Sequence, residues 1–268
     1  MRHIDTFGIC SVLVGLCLFI AAISTWIAPD GAYTTNMAQA LQAPSWQHWM
    51  GTDKLGRDVM ARIIDGMRLS VFTALLIVLI MTTIGTLAGA LAGWFGGWVE
   101  AVVMRCVDIM LAFPGVVLAI AIAGILGGSI TNAVLALTVV GWAKYARMVR
   151  SLVLKIKHEE YMQAAIMQGA KTGVMLSRHI LPNVIPLVIV TAALDIGTMM
   201  LEVAGLSFLG FGAQPPTAEW GLMINEGRQY LQVAPWLLAF PGAAVLIVVT
   251  IFNVWSDALR DKLDPRES

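Results

Sequence analysis

The sequence predicts an all-α protein that crosses a membrane six times. Three observations carry this. Hydrophobic residues make up 58% of the 268-residue chain and charged residues 13%, against ~25% charged in an ordinary soluble domain. Six apolar runs each come close to or exceed the roughly 20 residues a helix needs to cross the hydrocarbon core. Lys and Arg gather between the fourth and fifth runs. The formal net charge is zero, so the basic footprint of a nucleic-acid partner is missing. Cys10, Cys17 and Cys106 stand in or beside apolar runs without a C-x-x-C pair or a His/Cys cluster. Neither a disulfide framework nor a zinc site is indicated.

The expected spans are residues 7–28, 70–93, 102–126, 130–148, 185–209 and 234–255. The first run is about twice the length of a signal-peptide core, with Arg2 and His3 before it, and reads as an uncleaved anchor. The second carries Gly85, Gly89 and Gly93 on one face. Such spacing lets another backbone approach closely, either within the chain or on a partner membrane subunit. In the third, Arg105 and Asp108 are one turn apart and able to pair. Pro114 further along that run predicts a kink, because proline removes a backbone bond. The positive-inside rule places the segment between spans four and five in the cytoplasm. That segment holds Lys144, Arg147, Arg150, Lys155, Lys157, Lys171 and Arg178, and the C-terminal tail adds Arg260, Lys262 and Arg266. Both termini are then cytoplasmic. The outer loop 29–69 carries four basic residues offset by Asp53, Asp58 and Asp65.

The cytoplasmic segment predicts a helix over 158–168, with Glu159 and Glu160 at its dipole-favoured start. Gly169 ends it, since glycine takes left-handed angles without strain. A second short helix is expected over 171–180, with Pro182 and Pro186 leading into the next span. Ala164, Ala165 and Ala170 leave room for close approach. An L-shaped projection of small and basic residues on a chain lacking a soluble domain points to a grip on a separate soluble protein.

This segment resembles the EAA loop of ABC-importer permeases, in which Glu-Ala-Ala is followed by Gly and by Leu-Pro. Gln163, Ala164 and Ala165 stand at its head, Gly169 at the glycine and Leu181-Pro182 at its end, while Gln163 replaces Glu and His179 replaces Ile. The stretch Gly51-Thr52-Asp53-Lys54-Leu55-Gly56-Arg57-Asp58 is similar to a signature of C-type peptide and nickel permeases. So are Ser207-Phe208-Leu209-Gly210-Phe211-Gly212, the following Pro215-Pro216 and Glu219-Trp220-Gly221, and the tail Asp257-Ala258-Leu259-Arg260-Asp261 with Leu263-Asp264-Pro265. Residues 142–150 and 194–201 resemble nickel permease subunits most, although peptide subunits share the broad signatures.

The resemblance implies a type I permease fold with an anchor helix and outer loop over 1–69. A five-helix core over 70–268 would carry a coupling loop at 150–183. It implies that Gln163, Ala164, Ala165, Gly169, Ala170, Lys171 and Pro182 serve ATPase docking, and that Gly51, Thr52, Asp53, Gly56, Arg57 and Asp58 form an outer gate element. Read from the residues alone, that element is a self-capped turn leading into an amphipathic helix over 59–69. The implied partners are a second, homologous permease subunit, two ATPase subunits, an extracytoplasmic binding protein and lipid in a bacterial inner membrane. The implied cargo is nickel or another chelated transition metal, with di- or oligopeptides as the alternative.

No nucleotide site is expected in this chain. A P-loop needs G-x-x-x-x-G-K-[ST], and Gly169-Ala170-Lys171-Thr172 lacks both its spacing and its first glycine. Gly210-Phe211-Gly212 lacks the third glycine of a dinucleotide fingerprint. ATP and Mg would then be bound by the partner ATPases, and the chain itself would need no cofactor and hold no metal. Asp195 and Glu202 in the fifth run share one helix face, about 10 Å apart, with Met199 one turn from Asp195. Intramembrane carboxylates face a partner or a wet cavity. They read either as a pathway lining for cationic or zwitterionic cargo, or as interhelical bonding, with Asn183 a possible cap for Asp195. Met199 and Met200 suit soft metals, but such methionines more often simply fill apolar space. A membrane enzyme would need more ionisable groups at one depth, and an ion-coupled transporter would show internal repeats.

Overall fold

The computed structural model describes residues 6–28 and 31–263. Arg2, His3, Pro29, Asp264, Pro265 and Arg266 lie outside them. Among the described residues ten α-helical segments follow in chain order: α1 (Thr6–Ile27), α2 (Val59–Phe95), α3 (Gly97–Leu111), α4 (Gly115–Leu126), α5 (Ile130–Lys157), α6 (Glu160–Met167), α7 (Thr172–Val174), α8 (Leu181–Phe208), α9 (Trp220–Gly227) and α10 (Trp236–Leu263), of which α7 and α8 belong to one continuous helix. Among the described residues there is no strand, only a lone bridge between Thr52 and Asp58.

α2 and α5 form the centre, and the glycine stripe explains how. A Cβ on Gly85 would stand 2.5 Å from the Trp142 carbonyl oxygen and from Tyr145 Cβ. One on Gly89 would meet the Ala146 carbonyl, and one on Gly93 would lie 2.8 Å from Val153 Cβ. The stripe therefore serves packing inside this chain, where only hydrogen leaves room for the neighbouring backbone. Ala74, Ile77, Tyr145, Val149 and Val153 are fully buried along the same seam. α8 packs on α2 and α10, and α1 lies outside them against α2 and α10. Lys262 Nζ sits 4.2 Å from the centre of the Phe7 ring, so the two ends of the described chain lie at the same end of the bundle.

The expected span count meets a more graded result. By length and composition α1, α2, the helix Thr172–Phe208 and α10 suffice to cross a membrane, and α3 with α4 makes a fifth if taken as one broken span. α5 is long enough, but Asn132, Lys144 and Arg147 dilute its apolar character, as suits a helix covered by others. The third span is not a kinked rod. α3 and α4 meet at 90° across residues 112–114, because Pro114 caps a new helix instead of bending an old one. Asp108 pairs with Arg147 of α5 at 2.6 Å, not with Arg105, and Glu100 takes Arg150 Nε at 2.8 Å. α2 runs without a break through the expected boundary at 69/70.

Candidate functional site

Three clusters matter, strung along about 55 Å of α2 at 1.5 Å per residue. The first lies where α2 ends and α5 runs out. Lys157 donates to the Trp94 carbonyl at 2.8 Å and stands 5.4 Å from that indole's centre. After one turn α6 begins at Glu160. Met162 is fully buried, and the Tyr161 and His179 rings lie 6.3 Å apart. Gln163 Nε2 donates to the Lys157 carbonyl at 2.8 Å, satisfying one of the bare acceptors at a helix C-terminus. An ionised Glu could not make this bond, so the departure from the EAA pattern has a local use.

Gly169 closes α6 with φ +77°, and Ala170 N–H donates back to the Ala165 carbonyl at 3.1 Å, the pairing of a Schellman cap. A Cβ on Gly169 would meet nothing within 4 Å, so glycine is needed there for its backbone angles and not for space. Gln163, Ala164, Gly169, Ala170 and Lys171 are exposed and Ala165 half-buried. Met167 is 88% exposed. The expected second short helix differs: Thr172–Phe208 is one helix that includes a π-helical segment at Met175–Ile180. Pro182 and Pro186 lie inside this helix instead of ahead of it. The wider turn sits just before Pro182, where an amide donor is missing.

The second cluster is in mid-bundle. Asp195 of α8 accepts from Lys144 Nζ at 2.7 and 3.0 Å and from the Tyr145 hydroxyl at 2.7 Å. Asn183 takes no part, donating instead to the His179 carbonyl at 2.6 Å. The interhelical bond and the lined cavity are both present, since a cavity of about 200 Å³ is bordered by Met81, Lys144, Asp195, Thr198, Met199 and Glu202. The sequence reading assigned Lys144 to the cytoplasmic segment. It lies on α5 opposite Asp195, a pairing of residues 51 positions apart that no local pattern announces.

The third cluster surrounds the start of α2. Gly51 and Gly56 take φ of +73° and +72°. The Asp53 carboxylate accepts from the amides of Leu55 at 2.8 Å and Arg57 at 3.0 Å, and from Arg57 Nε at 2.6 Å. Thr52 Oγ accepts from Gln42 N–H at 2.9 Å. Asp58 caps α2 through Ala61 N–H at 2.8 Å and meets His48 Nδ1 at 2.8 Å. The capped turn is thus real, but its helix is the start of α2, not a separate amphipathic one. Glu226 of α9 joins the cluster, reached by Lys54 at 3.2 Å, Arg57 at 3.5 Å and Arg62 at 3.3 Å. Arg57 and Arg62 are almost wholly buried, and the space left among these groups is only about 20 Å³. Glu219 caps α9 through the amides of Gly221 and Leu222 at 3.0 and 2.8 Å. Burial pushes its carboxyl upward, opposed by those amides and by the Ser207 and Ser70 hydroxyls. Glu226 escaped the sequence reading, and Arg62 and Glu219 entered it only as an outer-loop cation and as part of a signature, with no contact between elements foreseen. An arginine three residues into an apolar helix was a signal that it needs a partner.

Known proteins similar to this chain show its family. The family described as binding-protein-dependent transport system inner membrane component matches residues 85–268. A dipeptide transport system permease protein of Alkalihalophilus pseudofirmus is 43% identical, over 95% of this chain and 84% of its own. A nickel transport system permease protein of Escherichia coli is 42% identical, over 95% and 92%. The structure of the MetNI methionine ABC transporter in an inward-facing conformation superposes with a TM-score of 0.56 at 18% identity, over 76% of this chain and 97% of that one, which supports the fold. The chain belongs to the inner-membrane components of binding-protein-dependent transport systems: it is a permease subunit of an ABC importer, without catalytic activity of its own.

Proposed function

We propose that this permease converts ATP-driven motion of partner subunits into access changes around the Lys144–Asp195 cavity. The observation that carries this is the course of α5. Its C-terminal carbonyl at Lys157 holds α6 through Gln163, and 13 positions earlier, about 20 Å along the helix, it presents Lys144 to Asp195. A push on α6 is therefore delivered to the helix that borders the cavity, as rigid-body movement. The exposed face of Ala164, Gly169, Ala170 and Lys171 is the docking surface for an ATPase subunit. ATP and Mg belong to two such ATPases, and a second permease subunit completes the pathway beside Asp195, Met199 and Glu202. The α6 end faces the cytoplasm, with both termini, because the basic residues gather there. The Gly51–Asp58 turn then faces the extracytoplasmic binding protein as a gate element.

The cargo we propose is nickel or another transition metal carried as a chelate. The resemblance of residues 142–150 and 194–201 favours the metal, and the mixture of Lys144 with Asp195 and Glu202 favours an organic envelope bearing both charges. That mixture equally fits the termini of a di- or oligopeptide, the second reading. Radiolabelled nickel uptake by cells with and without this chain, with and without chelator and against excess dipeptide, tests both. Nickel accumulation that depends on the chain and ignores dipeptide supports the metal. Loss of dipeptide uptake without loss of nickel moves the cargo to peptides.

A further inference from the structure

A crevice of about 830 Å³ opens between α1 and α2, with Thr25, Tyr33, Asp65, Arg68, Phe72 and Leu76 among its walls. It belongs to none of the three clusters. Met81, which borders the mid-bundle cavity, is nine residues from Phe72, two and a half helical turns, and so lies on the opposite face of α2. A subunit that completes the pathway at Met81 leaves this crevice uncovered.

Its chemistry changes with depth. Phe72, Leu76, Leu79 and Leu87 continue one stripe of α2 as exposed apolar side chains. At the mouth the Tyr33 hydroxyl donates to Asp65 Oδ2 at 2.7 Å, which fixes the carboxylate in place. Arg68 stands one turn further on the same face, exposed, and makes no hydrogen bond or ion pair among the described residues. By contrast Arg57 and Arg62 nearby are buried and paired. Trp26, adjoining Thr25 on α1, is 85% exposed, and such an indole marks the boundary between hydrocarbon and headgroups. An unpaired guanidinium and a fixed carboxylate at headgroup depth, above an apolar stripe, complement a lipid with both charges.

We infer that the α1–α2 crevice is a phospholipid site selective for a phosphoethanolamine headgroup, with Arg68 on the phosphate, Asp65 on the ammonium and the acyl chain along Phe72, Leu76 and Leu79. Native mass spectrometry of the assembled importer, titrated with palmitoyl-oleoyl phosphatidylethanolamine or phosphatidylglycerol, tests it. The parent protein should retain the ethanolamine lipid preferentially. Arg68→Gln should lower retention of both lipids about tenfold, the loss of one charge-assisted contact, and Arg68→Lys should restore part of it. Asp65→Asn, which still accepts from Tyr33, should erase the preference between the two lipids. Equal retention by parent and Arg68→Gln overturns the site. A photo-crosslinking residue at Phe72 in the otherwise unaltered protein provides a readout that does not depend on those variants. Adducts with phosphatidylethanolamine support the site, and adducts with a second permease subunit or another protein overturn it.

Discussion

The two ends of α2 solve opposite problems. At its start, Asp53, Arg57, Arg62 and Glu226 are drawn together from the 51–58 turn, α2 and α9, the two arginines almost wholly buried, with space among them for about one water molecule. At its end, α6 hangs from α5 by the Gln163 bond and the buried Met162, and turns small side chains outward. The first end is complete within one chain, since each buried charge has its partner. The second is a surface whose residues are chosen for what they leave open. Even the glycines differ in kind. Gly89 has no room for a Cβ, whereas Gly169 has room and is needed only for a left-handed backbone angle that other residues rarely adopt.

The comparison predicts a ranked set of mutational effects. Gly169→Arg should reduce uptake to background while insertion and assembly stay intact, because it strains the α6 cap and places a long cation on the docking face. Gly169→Ala should lose roughly 1–2 kcal/mol of local stability, the cost of a left-handed L-residue, and retain most uptake. Transport and membrane-fraction abundance measured together would break the comparison if Gly169→Arg transported normally. Arg62→Ala should act on stability instead. Leaving Asp53 and Glu226 partly unmatched costs about 3–5 kcal/mol, visible as a lower midpoint of thermal unfolding in detergent. An unchanged midpoint would mean that the closed end is held by packing alone.

Gly89→Ala should destabilise by about 1–3 kcal/mol, the usual range for overpacking a tight seam. The same thermal assay should show that change, together with faster proteolysis at the α2–α5 boundary. The smallest effect is expected from Gln163→Glu. It restores the family's usual residue yet removes the donor to the Lys157 carbonyl, a loss of about 1 kcal/mol. ATPase coupling ratios should fall only slightly. A gain in coupling would show that the carboxylate serves the partner more than the amide serves this chain.

Much of this is legible in the sequence. The apolar runs announced the long helices, and Gly169 announced the end of α6. The spacing of Gly85, Gly89 and Gly93 announced a close approach without saying to what. The acids of the 51–58 stretch announced a capped turn, which Asp58 completes. Less legible was the third span, where Pro114 begins a helix at right angles to the one before. Proline forbids an amide bond at its own position but leaves the bend angle to the surroundings. The placement of Pro182 and Pro186 inside a continuous helix had the same cause, since a π-helical segment absorbs what the local rule reads as a stop.

By itself the sequence determined the class of solvent, the helical class and the family, because hydropathy, periodicity and short signatures are properties of neighbouring residues. Only the tertiary structure decided that Lys144 meets Asp195, that Arg62 meets Glu226 and that Arg68 remains open beside Asp65. Charges in apolar helices must find partners or water. The partner is selected by how helices distant in sequence cross, and that is settled by the packing of the whole bundle.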